Sequence, residues 1–280
     1  MRFARYVIFF GTVLTAADTG PLPLIPKSVR FAVIGDNGTG DKEEYEIGSQ
    51  MEKLRQTTAF DFVLMNGDDI YGGKNPDEIK KKFDLPYATL LSAGVKFYAT
   101  LGNHDNPNER FYKPFNMNEK RYYNFKNGNV EFFALDSTYM DAAQIDWLTT
   151  ALQGSTAAWK ICFFHHPLYS DGKFHGPDLD LRARLEPVFM TNGVNVVFTG
   201  HEHFYERLNP QNSIYYFIEG SSGELRDHNL KQSPSVGKGF DTDRAFMVVE
   251  IAGDDLYFEA VSRTGEVVDS GKFARQTAVH

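Results

Sequence analysis

The most constraining feature of this sequence is a series of short apolar segments that each end in glycine or in a cluster of polar residues. Longer segments lie between them, and their apolar residues recur at helical spacing. In residues 42–57, for example, one helix face would carry Tyr45, Ile47, Met51 and Leu54. Buried strands that alternate with amphipathic helices are typical of α/β proteins.

This alternation predicts strands at 29–35, 62–66, 95–101, 130–136, 159–164 and 194–199, and helices at 42–57, 77–83, 142–152 and 179–191. After residue 214 the pattern changes to strands at 214–219, 245–251, 256–261 and 266–273, which glycine and aspartate turns join. We expect these later strands to be antiparallel and to complete a second sheet. The predicted fold class is α/β, a four-layer α-β-β-α sandwich with two mixed sheets flanked by helices.

The first residues are typical of a secretory signal peptide. Arg2 and Arg5 precede an apolar run at 6–14, and small residues follow at 15–17. The alternatives are a hydrophobic first strand or a short anchor, but the run is shorter than the roughly 20 residues that span a bilayer. We therefore predict a signal peptide at 1–17, a proline-rich linker at 18–27 and one catalytic domain at 28–275. Export to the medium, the periplasm or an organelle lumen follows, with no membrane anchor after signal removal.

Composition excludes several kinds of site. The chain of 280 residues has a formal net charge of −8, so we expect no basic platform for nucleic acid. Cys162 is the only cysteine, which rules out an intramolecular disulfide and a cysteine-based zinc site. Any metal ligands must be histidine, aspartate, asparagine or tyrosine.

Possible metal ligands follow five of the predicted strands. They lie in Gly35-Asp36-Asn37-Gly38, Gly67-Asp68-Asp69-Ile70-Tyr71, Gly102-Asn103-His104-Asp105, His165-His166-Pro167 and Gly200-His201-Glu202-His203. One such cluster is commonly a turn, but the loops beyond the carboxyl ends of parallel strands converge on one crevice. Six of the eight histidines lie between His104 and His203. The five clusters together therefore predict a metal site.

These motifs, in this order, resemble those of the calcineurin-like metallophosphoesterases. Gly67-Asp68-x-x-Tyr71 and the segment 200–207 resemble the purple acid phosphatase branch, in particular its small, tartrate-resistant type. The resemblance runs from Asp36 to beyond His203. It implies that the polar clusters hold two metal ions.

By this resemblance, Asp68 bridges the two metals. The first metal would be bound by Asp36, Asp68, Tyr71 and His203, and the second by Asp68, Asn103, His165 and His201. His166 stands where the family varies, so we expect it outside the set of ligands. The oxygen-rich side with Tyr71 favours Fe(III), and the other side favours Fe(II), Zn(II) or Mn(II).

The resemblance implies an acid phosphatase that hydrolyses phosphate monoesters of small molecules. A metal-bound hydroxide would attack phosphorus in line with a leaving group that His104 protonates, while Asp105 orients His104. His175 would face the substrate, and a trivalent ion would favour an acidic optimum. The alternatives are a phosphodiesterase or nucleotide pyrophosphatase with the same metal site, and a relative that binds metal or a partner without catalysis. The sequence leaves the oligomeric state open.

Overall fold

The computed structural model describes residues 22–72, 75–231 and 233–276. The predicted signal peptide at 1–17 and the start of the predicted linker at 18–27 lie outside these residues. In the described part of the chain, no helix is long and apolar enough to span a membrane.

The described chain contains thirteen strands. They are β1 (Val29–Ile34), β2 (Phe62–Met65), β3 (Lys96–Ala99), β4 (Tyr123–Asn127), β5 (Val130–Ala134), β6 (Trp159–Phe163), β7 (Val196–Thr199), β8 (Tyr205–Leu208), β9 (Tyr215–Glu219), β10 (Val236–Phe240), β11 (Ala245–Ala252), β12 (Asp255–Ser262) and β13 (Val267–Ala274). The α-helices are α1 (Lys42–Arg55), α2 (Pro76–Ile79), α3 (Ala88–Ser92), α4 (Ala142–Gly154) and α5 (Leu179–Asn192). A π-helical turn, Lys80–Asp84, continues α2.

The strands form two mixed sheets, as predicted. The six-stranded sheet has the order β13-β12-β11-β1-β2-β3, in which β1, β2 and β3 are parallel and the other pairings are antiparallel. The seven-stranded sheet has the order β10-β8-β9-β7-β6-β5-β4, in which β5, β6, β7 and β9 are parallel. The α/β fold with helices and two mixed sheets is thus confirmed.

One part of the sheet prediction is wrong. The strands after residue 214 were expected to be antiparallel and to complete a second sheet; β11, β12 and β13 are antiparallel, but these later strands divide between the two sheets. β9 pairs in parallel with β7, whereas β11 to β13 extend the sheet of β1, to which β11 is antiparallel. β1 is buried and needs a partner on each side, and β11 supplies the second one. A local sequence pattern contains no information on which distant strand fills that position.

The two sheets pack face to face through aromatic side chains. The ring of Phe31 on β1 lies 5.2 Å from that of Phe132 on β5 and 6.0 Å from that of Phe198 on β7. A second cluster packs α4 and α5 against the other face of the seven-stranded sheet, with Leu148 and Leu185 fully buried in it. Helix α1 contributes buried Ile47 and Met51 to the cluster that contains Phe31. The carboxyl ends of the central parallel strands of both sheets therefore meet across this core.

The described part of the predicted linker, residues 22–27, contains no helix or strand. It is fixed to β11 by Glu250, whose buried carboxylate accepts hydrogen bonds from the N–H groups of Leu24 and Ile25 and from the hydroxyl of Ser28. Cys162 is buried on β6, and burial raises the pKa of its thiol. Its environment is that of a packing residue.

Candidate metal centre

The five polar clusters lie at the carboxyl ends of strands from both sheets. Three clusters follow β1, β2 and β3 of the six-stranded sheet, and two follow β6 and β7 of the seven-stranded sheet. Hydrogen bonds and ion-pair contacts connect the predicted ligands Asp36, Asp68, Tyr71, Asn103, His165, His201 and His203. The structure therefore brings all seven side chains into one crevice.

Tyr71 and His203 meet at the carboxylate of Asp36. The Tyr71 hydroxyl lies 3.0 Å from Asp36 Oδ1 and 3.3 Å from His203 Nε2, and His203 Nε2 lies 3.3 Å from Asp36 Oδ1. The other oxygen of Asp36 accepts the backbone N–H of His201 at 2.7 Å. Three possible ligand atoms thus face one another on this side of the crevice.

His165 is the centre of the second group. Its Nε2 lies 3.0 Å from Asn103 Oδ1, 3.1 Å from His201 Nδ1 and 3.4 Å from Asp68 Oδ2. Ligand atoms of Asp36, Asp68 and His165 also lie within 4.8 Å of one another. This places Asp68 next to both groups, as a bridging ligand requires.

Asn66 connects the two sheets beneath the site. Its side-chain amide donates to Thr199 O at 3.0 Å and to Glu219 O at 3.3 Å, although Asn66 follows β2 and its acceptors belong to β7 and β9. The backbone oxygen of Asn66 lies 3.0 Å from His165 Nδ1. Because this contact occupies Nδ1, it directs Nε2 of His165 toward the other ligands.

Three of the predicted ligands have left-handed backbone conformations. The φ angles are 51° at Asp36, 54° at Asp68 and 69° at His201, a region that non-glycine residues adopt at a cost of order 1 kcal/mol or more. Gly102 lets the loops approach closely, because a methyl group at this position would overlap Asp68 Oδ1. The left-handed residues and Gly102 thus let the backbone pack closely around the carboxylates of Asp36 and Asp68.

Within the described residues, the carboxylates buried here form no ion pair with a lysine or an arginine. Asp36 is fully buried and Asp68 is 1% exposed, and within the described residues their ion-pair contacts are with His203 and His165 alone. Burial raises the pKa of Asp68, but the charge of His165, its hydrogen bond and the backbone N–H of His104 together outweigh burial and lower the pKa. Burial lowers the pKa of His165, but the charges of Asp68 and Asp36 and the hydrogen bonds to Asp68 and Asn66 together outweigh burial and raise the pKa to about 10.

The remaining ligands differ in the protons that they hold. Burial and the charge of Asp36 raise the pKa of Tyr71 above its ordinary value. Burial lowers the pKa of His201 to about 2, so its imidazole is neutral. For His203, burial opposes the charged form, but the hydrogen bond to Asp36 raises the pKa.

These side chains fit a pair of cations. A neutral imidazole such as His201 is ready to bind a metal, whereas Tyr71 and His165 hold protons that a cation replaces. Carboxylate, phenol and amide oxygens occur together with three imidazoles, a donor set that suits iron, zinc or manganese. Cations would also supply the positive charge that the buried carboxylates lack.

The three residues predicted for catalysis border the same crevice. His104 is exposed, its ring centre lies 4.9 Å from that of Tyr71, and its backbone N–H donates to Asp68 Oδ1. His175 is also exposed, with its ring centre 4.1 Å from that of His201. The Asp105 carboxylate accepts the backbone N–H groups of Ile70 and Gly102, so it fixes the loops after β2 and β3 to each other.

Two residues near the crevice were not predicted as site residues from the sequence. His166, which we expected outside the ligand set, has a ring nitrogen within 4.8 Å of ligand nitrogens of His165 and His201, and its Nδ1 lies 2.9 Å from Ser137 Oγ. The buried carboxylate of Glu202 accepts the N–H of Gly176 and the side-chain amide of Asn229. Two sequence features could have indicated these residues: His166 directly follows His165, and Glu202 lies between His201 and His203.

Known proteins support the family resemblance. Residues 29–205 match the family model described as Calcineurin-like phosphoesterase. The chain is 27% identical to purple acid phosphatase 17 of Arabidopsis thaliana, covering 89% of this chain and 85% of that protein. It is 24% identical to the mouse (Mus musculus) tartrate-resistant acid phosphatase type 5, covering 90% and 91% of the two proteins.

Solved structures show the same fold at low sequence identity. GAP50 of Plasmodium, described as the anchor in the inner membrane complex, has a TM-score of 0.79 at 18% identity and covers 90% of each chain. Purple acid phosphatase PPD1 from yellow lupin (Lupinus luteus) seeds has a TM-score of 0.72 at 18% identity, covering 91% of this chain and 55% of that chain. At these identities the likeness concerns the fold alone.

Substitution of Gly102 by alanine tests the close approach of the loops. We expect Gly102→Ala to displace the Asp68 carboxylate and to lower the metal bound per chain at least tenfold, because one added methyl group overlaps Asp68 Oδ1. Metal analysis after dialysis against a fixed metal concentration measures this. The control is Gly154→Ala, since the space around that glycine is open. Equal metal content in the two variants would contradict the prediction.

Proposed function

Because the chain belongs to the calcineurin-like phosphoesterase family, we propose that it hydrolyses phosphate monoesters of small molecules at a dinuclear metal centre. The observation that carries this proposal is the convergence of seven possible oxygen and nitrogen ligands, two of which are buried carboxylates, from five strand ends. Relatives named purple acid phosphatase and tartrate-resistant acid phosphatase support the monoester class.

Each of the two proposed metals has its own ligand set. Asp36, Tyr71 and His203 would hold one metal, Asn103, His165 and His201 would hold the other, and Asp68 would belong to both. When bound, the two cations supply Lewis acidity that neutralises phosphate oxygens and lowers the pKa of water. They would also explain how a chain with net charge −8 attracts an anionic substrate.

His104 and His175, which lie outside the ligand set, act on the substrate directly. His104 is exposed at the border of the crevice, so its ring can donate a proton to the leaving oxygen. The backbone of His104 is held in place because its N–H donates to the Asp68 carboxylate. Asp105 also holds the loops after β2 and β3 together. His175 borders a cleft of about 340 Å³ that His166 and His201 also line, which suits contact with a phosphate oxygen.

We assign Fe(III) to the side with Tyr71, and Fe(II), Zn(II) or Mn(II) to the other side. Burial raises the pKa of Tyr71 well above its ordinary value, so only a strongly Lewis-acidic cation would convert the phenol to a phenolate ligand. Imidazole and amide ligands suit a divalent ion. The predicted signal peptide leads us to propose that the protein is exported.

Two other functions share these features. A phosphodiesterase or nucleotide pyrophosphatase would use the same metal ligands. A relative without catalysis is the second alternative. The fold is similar to that of GAP50, which is described as an anchor, so this alternative would be a protein that binds a partner. Direct assays distinguish the three.

The monoester proposal predicts a ratio of rates. We expect kcat/KM for p-nitrophenyl phosphate to exceed that for bis(p-nitrophenyl) phosphate at least a hundredfold at acidic pH, and removal of the metals by a chelator to abolish both reactions. Steady-state assays of the metal-loaded protein at acidic and neutral pH measure this. A higher rate with the diester would favour the phosphodiesterase. Full metal content without hydrolysis would favour the non-catalytic relative.

The proposed role of His104 predicts a dependence on the leaving group. We expect His104→Ala to lower kcat at least a hundredfold for glycerol phosphate, whose alkoxide needs a proton, and about tenfold or less for p-nitrophenyl phosphate, whose leaving group does not. Asn108→Ala, at an exposed position of the same loop, is the control. Equal losses for the two substrates would show that His104 does not donate this proton.

The proposed iron ligand predicts a spectroscopic signature. With iron bound, we expect the protein to show a broad visible absorption that Tyr71→Phe removes, because only a phenolate bound to Fe(III) would produce it. Absorption spectra and metal analysis of both proteins measure this, with Tyr139→Phe at an exposed position as the control. Unchanged absorption in Tyr71→Phe would refute the assignment.

A further inference from the structure

Arg226 lies beside the metal centre but has no role in the function described so far. Its backbone N–H donates to the carbonyl oxygen of His203 at 2.9 Å. Its guanidinium carbon lies 3.8 Å from the centre of the Phe174 ring, and that ring centre lies 4.6 Å from that of His175. Since the ring of His175 in turn lies 4.1 Å from that of His201, the guanidinium group stands at the border of the crevice.

The guanidinium group has hydrogen-bonding capacity that the described residues do not use. Nη1 of Arg226 is buried and has no hydrogen-bond partner among them. In that part of the chain, the arginines that form ion pairs are Arg121, Arg207, Arg263 and Arg275. A buried donor without a partner costs roughly 1–3 kcal/mol, and a bound water, ion or ligand can remove this cost.

Phe174 holds the guanidinium in a position suited to an anion. Phe174 is 67% exposed, which is unusual for a phenylalanine, and stacking on Arg226 covers one face of its ring. A guanidinium group that is stacked on an aromatic ring keeps its N–H groups free at its edge. Those N–H groups match a phosphate group, which accepts two parallel hydrogen bonds.

Two lysines line a cleft next to the stacked pair of Arg226 and Phe174. The cleft of about 480 Å³ lies on the same loops, and Lys173, His228 and Lys231 line it together with Asp241. The carboxylate of Asp241 already accepts the N–H of Leu230 at 2.9 Å. Lys173 directly precedes Phe174, so this cleft adjoins the stacked pair, and the acidic Glu224 and Asp227 flank Arg226 in the sequence.

We propose that Arg226, stacked on Phe174, binds a second phosphate group of the substrate, so that the site favours molecules with two or more linked phosphates. The inference rests on the proposed function, because the first phosphate is the one bound at the metal centre. The cleft with Lys173 and Lys231 would receive further phosphates of a longer chain.

A binding experiment tests this inference without turnover. Calorimetry compares methylenebisphosphonate, which carries two linked phosphonates, with methylphosphonate, which carries one, on the metal-loaded protein. We expect the wild type to bind the bisphosphonate more tightly than the methylphosphonate. In Arg226→Gln the ratio of the two dissociation constants should fall at least tenfold, about the effect of one charge-assisted hydrogen bond. Arg182→Gln is the matched control, because Arg182 stacks on Tyr169 at 4.6 Å.

Two more variants keep the test decisive if Arg226→Gln does not fold. Arg226→Lys retains the positive charge but cannot form bidentate hydrogen bonds, and Phe174→Leu removes the aromatic ring on which Arg226 stacks, at an exposed position. We expect each to reduce the preference about threefold or more, with an unchanged melting temperature. A preference that remains as in the wild type in these variants, or no preference in the wild type, would overturn the inference.

Assays with pyrophosphate and glycerol phosphate separate this inference from the proposed function. If the wild type hydrolyses neither substrate but Arg226→Gln loses the bisphosphonate preference, the monoesterase proposal fails and the second anion site stands. If both substrates are hydrolysed and Arg226→Gln lowers their kcat/KM equally, the second anion site fails and the monoesterase proposal stands.

Discussion

The burial of two carboxylates where the two sheets meet is the constraint on which the rest of this structure depends. Asp36 and Asp68 lie at the ends of β1 and β2, and within the described residues only imidazoles offset their charge. An isolated buried charge costs far more than a small domain can offset, so positive charge must arrive from outside or from protonated histidines. The ligands from β3, β6 and β7 complete a cage that suits cations.

The geometry around this pair is fixed by contacts between distant segments. Asn66 connects the two sheets and directs His165, while Asp105 joins the loops after β2 and β3. Glu202 holds Gly176, beside His175, and Asn229 through its carboxylate. Such supporting groups maintain the positions of ligands to within fractions of an ångström, which dinuclear chemistry requires.

The sequence was most informative where chemistry is local. The alternation of apolar strands with amphipathic helices predicted the α/β fold with two sheets, and the polar clusters after the strands do converge on one crevice. The partner of β1 could not be predicted, since β11 lies more than two hundred residues away in the chain and its pattern would suit other pairings equally well. Nor could the sequence reveal that Arg226 stacks on Phe174, because the loops that carry these residues meet only in the folded protein.

Anomalous X-ray diffraction from crystals of the metal-loaded protein tests the central claim most directly. The account predicts two peaks about 3.5–4 Å apart, with Asp68 between them. One peak would contact Asp36, Tyr71 and His203, and the other Asn103, His165 and His201. A single peak, or peaks that these side chains do not contact, would contradict the account.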